Sequence, residues 1–300
     1  MKDQVVLVTG AGRGIGRGIA LELAAAGARV VVNDLGGDPG GGGADAGPAQ
    51  STVDEIVAGG GTAVANGGDI GDHGAARELV EQAVSAYGRL DAVVNSAGIL
   101  RDRIFHRMSE ADWDSVIRVH LKGSFNVSRA AAEHFRAQGS GVFVHMTSTA
   151  GLIGNFGQAN YSAAKLGIVG LSRSIALDMA RYGVRSNAIA PFAWSRLIGT
   201  LPEGTPEEQA RVAKFRAMRA ELVAPLVRFL LGPDAAEVTG QIFVVRRNEI
   251  FLMSQPRPIR SIHHSEGWDQ ERLRQHLVPS FRTSFAPLER SGDVFSWDPI

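Results

Sequence analysis

The chain has 300 residues, with 31 basic and 31 acidic side chains, no cysteine, 44% apolar residues and 21% charged ones. Without cysteine neither a disulfide framework nor a cysteine zinc site can form. A net charge of zero argues against a protein held by nucleic-acid phosphates, and no stretch approaches the ~20 uninterrupted apolar residues of a membrane helix.

In chain order, Met1–Gly10 enters a strand pattern at once, so no signal peptide is expected and a cytoplasmic location is. Val5–Val8 is a short β-branched run followed by glycines and a helical pattern, which reads as strand, turn, helix. Arg29–Asn33 repeats the strand signal. Further strands are expected at Thr62–Ala65, Ala92–Asn95, Val142–Met146, Arg185–Ile189 and Gln241–Val245, and amphipathic helices at Ala75–Tyr87, Trp113–Arg136 and Ala159–Arg181. Gly36–Pro48, with seven glycines and two prolines in thirteen residues, reads as a mobile loop. Strands separated by helices predict an α/β fold, a Rossmann-type doubly wound parallel sheet in a single domain over residues 1–247. Beyond Val245 the alternation stops. Residues 248–300, rich in Pro, Arg and aromatics such as Trp268, Phe281, Phe285, Phe295 and Trp297, are too aromatic for a disordered tail. They are expected as an irregular extension packed on the body or on a partner subunit.

Thr9–Gly16 follows the first strand and opens the first helix. Gly10 permits the tight turn, Gly14 lets backbone N–H groups approach a pyrophosphate, and Gly16 lets the helix lie close to the sheet. The helix N-terminus adds partial positive charge. Asp34 ends the second strand, where a carboxylate accepts both ribose hydroxyls of an adenosine and repels a 2′-phosphate, so NAD is expected over NADP. Asp69, after the third strand, stands where it reaches the adenine amino group, or serves as a cap.

Tyr161 and Lys165 sit four apart on one face of a helix, and Ser148 lies just past the fifth strand, at the end where open α/β sheets hold ligands. These types suit hydride transfer at a carbonyl or alcohol. A phenol with a pKa of ~10 is a poor base at neutral pH, and a neighbouring ammonium is expected to lower it. Tyr161 then exchanges the proton of the alcohol, while Ser148 donates a hydrogen bond to the substrate oxygen.

Thr9–Gly16, Asn95-Ser96-Ala97-Gly98, Ser148, Tyr161 and Lys165, in that order over residues 4–245, resemble the short-chain dehydrogenase/reductase family. The resemblance implies a cofactor site drawn from Gly10, Arg13, Gly14, Ile15, Gly16, Asp34, Asp69, Ile70, Asn95, Ala97, Gly98, Pro191, Tyr161 and Lys165, and no metal. It departs from the family at His120, where asparagine is usual, and at Pro191-Phe192, where Pro-Gly is usual. That asparagine holds a water that relays protons to the lysine; His120 is expected to bond the same backbone, to titrate itself, or to be a satisfied core histidine. Val32–Gly37, Arg118–Phe125 and Gly154–Tyr161 narrow the resemblance to the (R)-3-hydroxyacyl-CoA dehydrogenase part of peroxisomal multifunctional β-oxidation enzymes, also described as 17β-hydroxysteroid dehydrogenase type 4, in a bacterial stand-alone form.

That resemblance implies a small-molecule or acyl-CoA substrate: a 3-hydroxyacyl-CoA or a bulky hydroxysteroid-like alcohol in degradation. The alternatives are an NADPH-dependent 3-oxoacyl thioester reductase and a non-catalytic dinucleotide sensor. Residues 196–223 fall where the family covers its substrate, and Arg196, Arg211, Lys214, Arg216 and Arg219 make them basic. Ala131, Ala132, Ala164, Gly167 and Leu171 read as outer positions of helices that pair between subunits in this family, implying a homodimer or homotetramer.

Overall fold

The computed structural model describes residues 1–193, 204–205, 208–209, 212–213 and 217–300. Its centre is an eight-stranded sheet in the order β3-β2-β1-β4-β5-β6-β7-β8. The strands are β1 Val5–Thr9, β2 Arg29–Asn33, β3 Thr62–Asn66, β4 Ala92–Asn95, β5 Gly141–Met146, β6 Val184–Phe192, β7 Ile242–Arg246 and β8 Glu249–Leu252. All neighbours pair in parallel except β7 and β8. β1, β4 and β5 are buried throughout, which is why they read as continuous apolar runs and not as alternation. Val6, Val8, Val30, Val32 and Val144 face one apolar layer, shared with α1 (Gly14–Ala25), α2 (Gly47–Ala58) and α8 (Ala224–Leu231). Val5, Leu7, Val31, Val93 and Phe143 face the other, shared with α3 (His73–Tyr87) and α5 (Gly123–Gln138). β1 pairs with β2 on one side and β4 on the other, so the chain reverses its direction of travel across the sheet between them. A crevice opens at such a switch point, beyond the strand C-termini.

The helix expected at Trp113–Arg136 is three pieces. α4 (Glu110–Ile117) starts at a Ser109/Asp112 capping box, a π-turn occupies Arg118–Lys122, and α5 follows. On an uninterrupted helix Trp113, His120 and Ser124 would share one inward face; the wider turn shifts the faces on either side of it, and Trp113 is 39% exposed while His120 and Ser124 are buried. Ser148 caps the short α6 (Thr149–Leu152), and α7 (Ala159–Asp178) carries Tyr161 and Lys165. Ala131 and Ala164, expected on outer faces, lie fully inside the subunit; the exposed apolar residues of these helices include Phe125, Leu166 and Leu177.

The glycine-rich loop ends two residues earlier than expected, because α2 starts at Gly47 with Pro48 in its first turn, where a missing N–H costs nothing. Within the loop, Asp38 Oδ1 accepts from Gly40 N at 2.8 Å and from Gly42 N at 2.9 Å. The extension adds β8 to the sheet edge, then α9 (Gln270–Phe281) and α10 (Ser291–Val294), joined by segments without regular structure. Among the described residues no helix is long and apolar enough to cross a membrane, and no cluster of His, Asp or Glu is placed to hold a metal ion.

Candidate active site

A cleft of about 710 Å³ lies over the C-terminal ends of β1, β2 and β4, lined by Gly10, Arg13, Gly14, Ile15, Gly16, Asp34, Asp69, Ile70, Ala97, Gly98 and neighbours. Gly10 has φ +64°, and a Cβ on it would lie 2.6 Å from Ala97 Cα. Gly14 has φ +55°, and a Cβ there would meet open space. Arg13, at the N-cap of α1, gives no side-chain acceptor, and the first turn holds no acid. Its N–H donors are therefore open to an anion. The Arg13 guanidinium instead donates to Gly37 O at 3.3 Å.

Asp34 is fixed at the rim. Oδ2 accepts from Gly12 N at 2.8 Å and Oδ1 from Gly36 N at 2.7 Å. Each oxygen keeps a further lone pair for a ligand. Asp69 also does two jobs: Oδ1 accepts from Gly71 N, and Oδ2 pairs with Arg118. Arg118 lines the same cleft. Ile70 is buried, and its carbonyl accepts from Asn126 Nδ2 at 2.9 Å.

Of the expected cofactor residues, Asn95, Pro191, Tyr161 and Lys165 are not among those that line this cleft. Asn95 turns into the interior, where Nδ2 reaches Ser128 Oγ at 3.0 Å and His145 Nδ1 at 3.2 Å. It supports the cleft from beneath, and Ser96, Ala97 and Gly98 line it. A strand-end residue faces the sheet interior or the crevice according to the pleat, which spacing alone does not settle. Pro191 lies near the end of β6, opposite Val245, away from the cleft lining.

Ser148, Tyr161, Lys165 and His120 come together beside this cleft. The Ser148 hydroxyl lies beside the Tyr161 phenol and acts to lower its pKa, and it accepts from Ala150 N at 3.1 Å. Lys165 Nζ sits 5.5 Å from the centre of the Tyr161 ring and donates to Met146 O at 2.6 Å. The His120 ring meets Tyr161 edge-on, with centroids 5.2 Å apart. His120 Nε2 lies 2.7 Å from Ile99 O and 3.0 Å from Ile99 N, and a Cβ on Gly98 would lie 2.3 Å from its Cε1. His120 therefore joins the two halves of the site.

The electrostatics correct one expectation. Burial pushes the Tyr161 phenol up to about 12; the Ser148 hydroxyl opposes this, and the Asp102 carboxylate adds to it. Lys165 is itself held down to about 7 by burial. Burial outweighs the neighbouring ammonium here, because desolvation disfavours charge on both groups. His120 is held near 3, by burial first and then by Lys165. It stays neutral at physiological pH, so among the roles expected for it, titration near neutrality is removed.

Several supporting residues carried no signal in the sequence. Asn160 is fully buried, with Nδ2 donating to Arg101 O and Asp112 O, both at 3.0 Å, while Oδ1 accepts from Tyr161 N. Thr9 Oγ1 accepts from Ser96 N and Ala97 N, tying the end of β1 to the cleft wall. Asp102 accepts from Gln158 Nε2 at 2.8 Å. Arg196, Arg211, Lys214 and Arg216 lie outside the described residues, as does most of the segment 196–223; Arg219 is exposed.

Comparison with known proteins places this architecture. The chain is 42% identical over 294 residues to the hydroxyacyl-CoA dehydrogenase ChsB1 of Mycobacterium tuberculosis, covering 94% of this chain and 89% of that protein. It is 48% identical over 243 residues to the mouse peroxisomal multifunctional enzyme type 2, covering 81% of this chain but only 31% of that enzyme. The crystal structure of a short chain dehydrogenase from Mycobacterium avium superposes with a TM-score of 0.81 at 42% identity, covering 95% of this chain and 96% of that one. Residues 4–195 match the family model for short chain dehydrogenases. The chain belongs to the short chain dehydrogenase family, oxidoreductases that act on CH–OH groups with NAD or NADP.

Proposed function

We propose that the chain is an NAD-dependent dehydrogenase of a secondary alcohol, with a 3-hydroxyacyl-CoA or a bulky hydroxysteroid-like alcohol as substrate in a degradative reaction. The observation that carries the reading is the convergence of Ser148, Tyr161 and Lys165 beside a cleft whose glycine turn and open helix N-terminus suit a pyrophosphate. The similarity to a hydroxyacyl-CoA dehydrogenase of M. tuberculosis supports the thioester part.

The dinucleotide supplies the hydride acceptor when bound. Gly10, Arg13, Gly14, Ile15 and Gly16 would hold its phosphates, Asp34 its ribose, and Asp69 and Ile70 its adenine end. Tyr161 Oη takes the proton of the substrate hydroxyl. Ser148 Oγ donates to the substrate oxygen and orients it. Lys165 Nζ, when charged, favours the phenolate. His120 is a positioning residue that holds the Ile99 backbone and the edge of the Tyr161 ring.

The pH dependence follows from the raised phenol. The base form is a small fraction at neutral pH and grows about tenfold per unit below a pKa near 12. kcat/KM for alcohol oxidation should therefore climb steeply between about pH 6 and 9, while ketone reduction, which needs the protonated phenol, should not climb. Initial rates in both directions across this range check it; a flat oxidation profile overturns the raised phenol in the loaded enzyme, and the Tyr161→Phe variant decides whether Tyr161 is the base.

The cofactor preference rests on the Asp34 carboxylate. Asp34→Ala should weaken NADH binding by about tenfold, the worth of a hydrogen bond to a charged group, and narrow the gap to NADPH. Fluorescence titration with both cofactors reads this, and tighter NADPH binding by the unaltered chain would overturn the preference. Turnover of NAD with (R)- and (S)-3-hydroxyacyl-CoA of several lengths and with a 17β-hydroxysteroid tests the substrate. We also infer a homodimer or homotetramer, supported by exposed Phe125 and Leu166 on α5 and α7; light scattering measures its mass.

A further inference from the structure

The extension ends in a short segment that fastens itself to the loop before Tyr161 and to the end of β6. Ser291, at the start of α10, is 4% exposed. Its N–H donates to Gly154 O at 3.0 Å and its hydroxyl to the same oxygen at 3.3 Å. The same N–H also lies 3.3 Å from Asn155 Oδ1. The Arg290 guanidinium is held by Asp293, with Nε 2.9 Å from Oδ2 and Nη2 2.6 Å from Oδ1. It covers the ring of Phe156 at 5.4 Å. Residues 154–157 form no regular structure, and Gln158 immediately precedes α7. What fixes this loop fixes the approach to Tyr161.

The second attachment is aromatic. Phe295 is 7% exposed and meets Phe192 and Phe251 edge-on, at 5.2 and 5.3 Å. Arg246 is almost fully buried; it lies 5.8 Å from the Phe192 ring and 5.2 Å from the Trp297 ring, and it donates to Trp297 O. Phe192 closes β6 and follows Pro191 directly. One stretch of about nine residues thus ties the loop before Tyr161 to the end of β6.

We propose that residues 289–297 are a positioning element of the substrate pocket, with Ser291 and Phe295 as its two anchors, setting the width of the pocket for a bulky secondary alcohol or ketone. This rests on the reading of Tyr161 as the proton-exchanging group. The segment touches neither the dinucleotide cleft nor its lining residues, so its effect falls on substrate and spares cofactor.

The test is Ser291→Pro in the full chain. Arg290 has φ −94° and ψ 165°, a conformation that tolerates a following proline, and the first helical position accepts one. The change removes both donors to Gly154 and leaves α10 its geometry. Phe295→Ala is the second variant. Affinity of the NADH-loaded enzyme for a small ketone, a steroid-like ketone and a 3-oxoacyl-CoA is read by NADH fluorescence, alongside kcat and KM. The expected result is a roughly tenfold rise in Kd and KM for the bulky ligand, with NADH affinity and the small ketone within about twofold of the unaltered chain, on the scale by which small misplacements act. Unchanged affinity for the bulky ligand overturns the proposal. So does a parallel loss of NADH binding and of both ligands, which marks a purely structural role. If the unaltered chain binds the steroid-like ketone and no thioester, the thioester reading fails while this proposal is still tested.

Discussion

Tyr161→Phe is expected to lower turnover by about 10²–10⁴-fold while NADH binding stays within about twofold, the magnitude general acid–base groups carry. The substitution removes one oxygen and keeps the ring, so the edge contact with His120 and the approach of Lys165 to the ring persist. The Ser148 hydroxyl loses the phenol oxygen as a neighbour and keeps Ala150 N. Stability should change little for the same reason, and loss of a buried, desolvated hydroxyl can even raise it. Turnover under saturating NAD, compared with the NADH dissociation constant of the same preparation, separates the chemical role from folding. Unaltered turnover removes Tyr161 from the mechanism; lost NADH binding means that the ring and not the oxygen was at stake. Ser148→Ala should act in the same direction, and less than additively with Tyr161→Phe, because both act on one oxygen of the substrate.

The sheet was legible because its strands are buried on both faces. Val5–Thr9, Arg29–Asn33 and Ala92–Asn95 carry β-branched runs with no polar alternation, and their spacing admits only crossover helices between them. The glycine turn and the Ser148, Tyr161, Lys165 set were legible because chemistry fixes their residue types. What escaped depends on geometry that has no period. The π-turn at Arg118–Lys122 adds a residue to a helix whose pattern still looks continuous, so the inward face is misread on one side of it. β8 is four residues long, with alternating half-buried and exposed positions, and the Arg246–Glu249 turn before it has Arg247 at φ +56° without a glycine to announce it. Asn95 has the expected residue type but faces away from the cleft. The charge states of Tyr161 and Lys165 follow from how completely the protein surrounds them, and that is a property of packing.

Gly98→Ala should cost about 3 kcal/mol, by collision with a ring that has nowhere to go. The new Cβ would lie 2.3 Å from His120 Cε1, and 3.0 and 3.1 Å from the two ring nitrogens. This is not the free end of a flexible chain. The ring is 3% exposed, bonded through Nε2 to the Ile99 backbone and packed against Tyr161. If it tilts, Nε2 loses Ile99 and joins the already unpaired Nδ1 as a second orphaned buried nitrogen. If the backbone moves instead, Ala97 and Ile99 shift, and both line the dinucleotide cleft. Either way NADH binding should weaken along with stability. The double variant Gly98→Ala, His120→Asn gives the methyl group room by shortening the side chain it strikes. It should recover most of the lost stability, with a coupling energy of ~1–3 kcal/mol from urea midpoints at unchanged slope. If the double variant is no more stable than Gly98→Ala alone, the collision is with the backbone. If it regains stability without NADH affinity, His120 is required for the cleft wall itself and not only tolerated by it. The pairing of a side-chain-free residue with a histidine in a π-turn is what lets this chain carry an imidazole between its cofactor cleft and Tyr161.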